Sequence, residues 1–167
     1  MPGYSHAKLL GQATLAGAAS SLTVGNFDPE PILLVIVRIS GYSGAAIAQL
    51  QFNGDAGTTA YSYKVSTDLA APTGAVAATA AGIKVSQTAT TGARGLIEFF
   101  ISNISGNPHA ITYQSCDLGE SAATQPSITS GSGIWTNTAQ ITRITLEGGG
   151  VNLNAGTWMA VYGLGGF

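Results

Sequence analysis

Residues 32–40 read Ile-Leu-Leu-Val-Ile-Val-Arg-Ile-Ser, and this stretch decides the fold class. Side chains of an extended chain alternate between two faces, so Leu33 and Val35 would share one face and Leu34 and Ile36 the other. A short apolar run rich in β-branched residues is typical of a strand that is buried on both faces. The run ends after six residues, far short of the roughly 20 that a membrane-spanning helix needs.

Similar short runs, rich in Ile, Val, Leu, Phe, Tyr and Thr, recur along the chain between clusters of Gly, Pro, Asn, Asp and Ser. This spacing is typical of an all-β sandwich or barrel. We predict a single antiparallel β-sandwich domain. Its candidate strands are residues 8–15, 32–40, 46–53, 60–65, 83–88, 95–103, 110–116, 140–147 and 157–164.

Two segments lack a strand pattern. Residues 69–81 are rich in Ala but contain Pro72 and Gly74 and show no helical stripe of apolar residues, so we predict a long loop. Residues 117–133 contain one Pro and three Gly, and we predict a polar excursion between strands.

The two-sided apolar pattern recurs in residues 95–103 and 157–164. A strand of an antiparallel sandwich needs only one apolar face, so these strands carry apolar surface in excess. Either another subunit or loops folded over the sheet would bury it. We favour a subunit interface.

Charged residues make up only 8% of the chain, against roughly 25% in typical domains. So little charge also favours burial of surface in an assembly. The net charge is −2, and the six basic residues are scattered along the sequence, so no cationic stripe for nucleic acid is expected. We predict neither direct nucleic-acid binding nor a membrane-spanning segment.

Residues 8–18 have some features of a secretory signal, because Ala16-Gly17-Ala18 resembles a cleavage site. Lys8 is the only positive charge before the apolar stretch, and Gly11, Gln12 and Thr14 interrupt that stretch. We therefore expect no cleavage.

No enzymatic chemistry is predicted. His109 and Cys116 are the only neighbouring pair of a base and a thiol, and their odd spacing would put them on opposite faces of one strand. We expect Cys116 to be a small buried residue. His6, His109 and Cys116 lack the spacing of a zinc site, and neither a phosphate-binding loop nor a dinucleotide fingerprint occurs, so no metal or cofactor is expected.

Two short polar motifs can be interpreted either as structural features or as functional sites. Asn53 and Asp55 offer too few oxygen ligands for calcium, and Asn53-Gly54 is predicted to form a tight turn. Asn103-Ile104-Ser105 matches a glycosylation acceptor, which matters only in a secretory pathway.

Exposed aromatic residues serve as platforms in carbohydrate-binding sandwiches, and Trp135 and Tyr63 are candidates. Trp135 follows a glycine-rich stretch, so it either lies exposed or closes that stretch onto the core. We expect the core position, in which truncation of Trp135 lowers stability.

Five motifs, taken in order, resemble a known family. They are LQFNGDAG at 50–57, YSY at 61–63, GIW at 133–135, AQITRITL at 139–146 and NLNAGTWMAVYGL at 152–164. Together, over roughly residues 9–164, they resemble tailed-bacteriophage virion proteins with an antiparallel jelly-roll domain. Members of this family are capsid decoration (cement) proteins or lie at the ends of head or tail fibres.

The resemblance implies a homotrimer on a phage particle and leaves its role there open. Because the chain is short and nearly all one domain, we predict that it binds the major capsid protein on the outside of the phage shell and stabilises it. Such a protein is made in the cytoplasm of the bacterial host and displayed on the virion. Residues 1–25 would form an N-terminal arm and first strand, and residues 26–167 the jelly roll. The alternative is a fibre-tip protein that binds a receptor or a host-surface glycan, but the chain has no heptads for a stalk.

Four residues are candidates for partner binding. Leu9, Leu10 and Leu15 would give the N-terminal arm apolar groups to bury against the shell, and Trp135 is the aromatic candidate.

Overall fold

The computed structural model describes residues 7–45, 47–67, 81–85, 94–118 and 127–165, and these residues form strands and connections without a helix. No helix in these ranges is therefore available to cross a membrane. The eleven strands are β1 (Lys8–Thr14), β2 (Ser21–Gly25), β3 (Ile32–Ile39), β4 (Gln49–Phe52), β5 (Tyr61–Thr67), β6 (Ile83–Lys84), β7 (Arg94–Ser102), β8 (His109–Leu118), β9 (Ser127–Trp135), β10 (Arg143–Glu147) and β11 (Trp158–Leu164).

The strands form two sheets in which every pairing is antiparallel. The larger sheet has seven strands in the order β1-β11-β3-β7-β8-β9-β5, and the smaller has four in the order β2-β10-β4-β6. The prediction of an all-β fold with antiparallel sheets is confirmed.

Both sheets contribute to one hydrophobic core, which gives the fold its sandwich-like form. Leu33 and Phe99 reach the core from the larger sheet, and Leu50 and Leu146 reach it from the smaller one. All four side chains have no exposed surface. Residues alternate between this core and the opposite face, as the sequence pattern of β3 predicted.

The predicted turn at Asn53-Gly54 is confirmed. Asn53 has a φ of 51° and Gly54 a φ of 75°, as a tight turn of type I′ requires. The amide of Asp55 closes the turn by donating to the carbonyl of Phe52 at 2.8 Å. The Asn53 side chain accepts from the amide of Thr142 at 2.9 Å, so it organises backbone rather than a calcium ion.

The prediction that residues 117–133 form a polar excursion is wrong over much of its length. Asp117 and Leu118 end β8, and residues 127–133 belong to β9. Residues 119–126 lie outside the described part of the chain, as do residues 69–80 of the other predicted loop. The strand β2 was also not predicted.

The sequence of β9 hides a strand because glycine occupies two of its inward positions. A Cβ atom on Gly131 would collide with the ring of Tyr113, its partner on β8. One on Gly133 would meet the side chain of Ile83 at 2.6 Å. At these two positions large neighbours therefore fill the core, and β9 supplies only backbone there.

Candidate interaction surface

The side of the seven-stranded sheet that is turned away from the core is called here the outer face. Strand register aligns four of its apolar side chains in one row across β1, β11, β3 and β7: Leu9, Tyr162, Leu34 and Phe100. Leu9 and Phe100 are each 48% exposed, and the two residues between them are partly buried. We call this set the apolar row.

Further apolar residues extend this surface toward one end of the sheet. A second row crosses five strands and places Arg38 among apolar neighbours. Its members are Trp158, Arg38, Leu96, Cys116 and Ile128. Six large apolar side chains are exposed in the described ranges, and five of them lie on the outer face: Leu9, Leu96, Phe100, Ile128 and Ile134. The excess apolar surface predicted from the sequence is therefore concentrated on one side of the molecule.

The half of the outer face that lies on β8, β9 and β5 is more polar. On β8 and β9 the outward residues include Thr112, Gln114, Ser130 and Ser132, and on β5 they include Lys64. Because these side chains are polar, water solvates them well. The large apolar side chains of β1, β11, β3 and β7 form the apolar row, whereas the exposed Ile128 and Ile134 of β9 lie among polar residues.

A hollow of about 690 Å³ lies where β3 ends and β7 begins. Arg38 and Arg94 lie at this hollow, and Leu96, Cys116 and Ala155 supply apolar surface. We call it the arginine hollow. Sequence reasoning missed it, because only the pairing of β3 with β7 brings the two arginines together.

The structure separates the three N-terminal leucine candidates. Leu9 is exposed on β1 and begins the apolar row. Leu10 and Leu15 are partly buried and pack against the hydrophobic core. They hold β1 and the residue after it against the sandwich, and their role in partner binding stays a prediction.

Trp135 has no exposed surface, so its assignment as a partner-binding residue is corrected. Its ring stacks on those of His109 and Tyr61, with centroids 5.1 and 6.3 Å away. Its indole N–H donates to Asp55 Oδ2 at 2.9 Å. Tyr63 is only 6% exposed, so the two predicted platform aromatics belong to the interior.

His109 and Cys116 lie on opposite faces of β8, as their spacing predicted. His109 is fully buried, and its two ring nitrogens lie 2.9 Å from the carbonyl oxygens of Ser102 and Ala139. A neutral ring can donate to one of these oxygens, and an imidazolium to both. Cys116 is exposed on the outer face, so the prediction that it is buried is wrong.

Asn103 has no exposed surface, which removes it as a glycosylation acceptor in this fold. Its side-chain amide donates to the carbonyls of Glu30 and Ile141, and its oxygen accepts from the amide of Ile141 at 2.7 Å. The side chain ties two connections together.

Burial dominates the titration behaviour of three side chains. It raises the pKa of Tyr61 to about 12, although a hydrogen bond from the amide of Phe52 opposes the shift. Burial also raises the pKa of Tyr113, whose hydroxyl donates to the carbonyl of Lys84 at 2.8 Å. The pKa of Glu147 is raised for the same reason.

Within the described ranges, no three His, Cys, Asp or Glu residues form a group that could hold a metal ion. The Asp55 carboxylate is already bound to the Trp135 indole and to the amide of Gly57. Comparison with protein-family models and with curated proteins found no match to this chain.

Proposed function

We propose that this protein is a non-catalytic structural protein of a phage virion. In this proposal it is a homotrimeric jelly roll that binds the outside of the capsid shell and stabilises it. Two features support the proposal: the family resemblance of the sequence motifs, and the way in which eight of the eleven strands pair.

The strand pairing is nested. β1 pairs with β11, β2 with β10, β3 with β7 and β4 with β6, so the first half of the chain runs antiparallel to the second. These pairs alternate between the two sheets, giving β1-β11-β3-β7 in one and β2-β10-β4-β6 in the other. A long hairpin wrapped in this way is the plan of the eight-stranded jelly roll, which recurs in viral capsid proteins. The remaining strands, β5, β8 and β9, extend the larger sheet.

The outer face supports self-association. Its apolar row crosses four strands and ends in two side chains that are about half exposed. With only 8% charged residues, the chain has few groups with which to solvate such a surface. A contact burying roughly 800 Å² per partner would be large enough for a stable interface.

Shell binding is supported by the position of Leu9. This residue lies on β1, the edge strand of the seven-stranded sheet, where the apolar row reaches the side of the molecule. Contacts that are individually weak would gain avidity from the three copies of a trimer and from the symmetry of a shell.

Co-sedimentation with purified, expanded capsids tests the proposed function. We expect the protein to sediment with capsids and not with host cells. Leu9→Asp should weaken capsid binding, whereas Ile104→Asp, which changes an isoleucine that is 54% exposed outside the strands, should not. Binding to cells without binding to capsids would contradict the proposal and favour the receptor-binding alternative.

A further inference from the structure

The arginine hollow has the size and lining of a small-molecule site. Its volume of about 690 Å³ lies within the range of roughly 300–1,000 Å³ that is usual for ligand pockets. Leu96 is 49% exposed at the hollow although it is a large apolar residue. Binding of an apolar ligand group to such a surface is favourable, because it removes apolar surface from water.

One wall of the hollow is held in place by hydrogen bonds. The hydroxyl of Ser40 donates to the carbonyl of Ala155 at 2.6 Å, which fixes the turn between β10 and β11 against the end of β3. The Arg38 guanidinium donates to the carbonyl of Gly156 at 3.1 Å. Arg38 is therefore positioned before any ligand arrives, which lowers the entropic cost of binding.

The charge of the hollow is unbalanced. Arg38 and Arg94 are among the lining residues that the structure describes, and no Asp or Glu is. The ion pair seen in the described ranges joins Lys8 to Glu30 at 3.8 Å, away from the hollow. Two of the six basic residues of a chain with net charge −2 thus converge on one apolar concavity.

We propose that the arginine hollow binds a small amphiphilic anion, a carboxylate carried on an apolar chain. The carboxylate would bind between the two guanidinium groups, since arginine donates paired hydrogen bonds to such a group. The chain would lie over Leu96 and Cys116. This site goes beyond the proposed function and does not rest on it, because binding can be measured on the isolated protein.

Cys116 provides a reporter for the hollow, because it is exposed there and is the only cysteine in the sequence. The experiment measures the rate at which the neutral reagent iodoacetamide alkylates the native protein, with decanoate as the probe. We expect saturating decanoate to slow alkylation at least fivefold. Decanol, which has the same chain without the charge, should protect much less.

Two variants test the role of the arginines. Arg38→Gln and Arg94→Gln should each raise the decanoate concentration needed for half-protection roughly tenfold, since each removes a charge-assisted contact. Lys64→Gln is the matched control, because it removes an exposed positive charge from β5 on the same face. Circular dichroism of each variant confirms that the fold is kept.

Three results would overturn the proposal. In the first, decanoate does not protect Cys116 from alkylation. In the second, decanoate protects the wild type and both arginine variants equally. In the third, the thiol resists alkylation in the native protein but reacts after unfolding. The last result would mean that the hollow is closed to ligands.

Discussion

Trp135 joins parts of the chain that are far apart in sequence. Its ring packs on Phe52 of β4, Tyr61 of β5 and His109 of β8, and its N–H is bonded to Asp55 in the connection between β4 and β5. A single side chain thus links the two sheets near one end of the core.

Truncating Trp135 to alanine should lower the free energy of unfolding by about 3–5 kcal/mol, because it leaves a large cavity and removes the hydrogen bond to Asp55 Oδ2. Urea unfolding measures the change. Ile134→Ala is the control: this neighbour is 45% exposed, and its change should stay within about 0.5 kcal/mol. Equal effects of the two substitutions would contradict the core assignment.

Tyr61 makes the stability depend on alkaline pH. Its hydroxyl donates to the carbonyl of Asp55 at 2.8 Å, and burial raises its pKa from 10.0 to about 12. In the unfolded chain the phenol loses its proton near pH 10, while the folded protein retains it, so the unfolded state gains stability as pH rises. This contribution of Tyr61 to folding is present below pH 10 and is lost between pH 10 and about 12.

Urea midpoints measured from pH 8 to 12 check this expectation. The midpoint should fall above pH 10 in the wild type and fall less steeply in Tyr61→Phe. The buried Tyr113 contributes in the same direction, so some slope remains in the variant. A midpoint that is independent of pH up to 12 would contradict the assignment.

The strand β9 depends on small side chains at two positions, Gly131 and Gly133. Gly131→Ala would place a Cβ atom against the ring of Tyr113, which cannot move without breaking its hydrogen bond to the carbonyl of Lys84. We expect a loss of about 1–3 kcal/mol in the free energy of unfolding. The adjacent Ser132→Ala, on the outer face, should have little effect. Thermal unfolding of both variants makes the comparison.

The strands with alternating or two-sided apolar patterns were predictable from the sequence. The observed β3 and β7 match their predicted ranges to within a residue at each end. Local patterns failed where tertiary contacts decide: β9 is a strand because Tyr113 and Ile83 fill the space over its glycines. β10 begins later than predicted, at Arg143, because the side chains of Asn53 and Asn103 bind the backbone just before it.

The candidate surface could be predicted only in part. Two-sided strands indicated an excess apolar face, and that face exists. Its extent depends on strand order, which brings Leu9 beside Tyr162 from opposite ends of the chain. The arginine hollow depends on the same long-range pairing, and no local pattern encodes it.

For the molecule as a whole, the Phe100 end of the apolar row is where subunits are expected to meet, and Leu9 at the opposite end, on the edge strand β1, is left for the shell. Replacing Phe100 with Glu would put a charge into that contact and should shift the protein toward monomers, because a buried unpaired carboxylate is costly. Ile104→Glu, at an exposed position outside the strands, should leave the assembly intact. Analytical ultracentrifugation of the two variants separates these outcomes. Dissociation of both, or of neither, would argue against the outer face as the interface.

The mass of the native protein in solution tests the central claim most directly. Light scattering at micromolar concentration should give a single species of three times the 16.8 kDa chain mass, as expected for a trimer. A monodisperse species at 16.8 kDa would contradict the account, because the apolar row would then have no subunit to cover it.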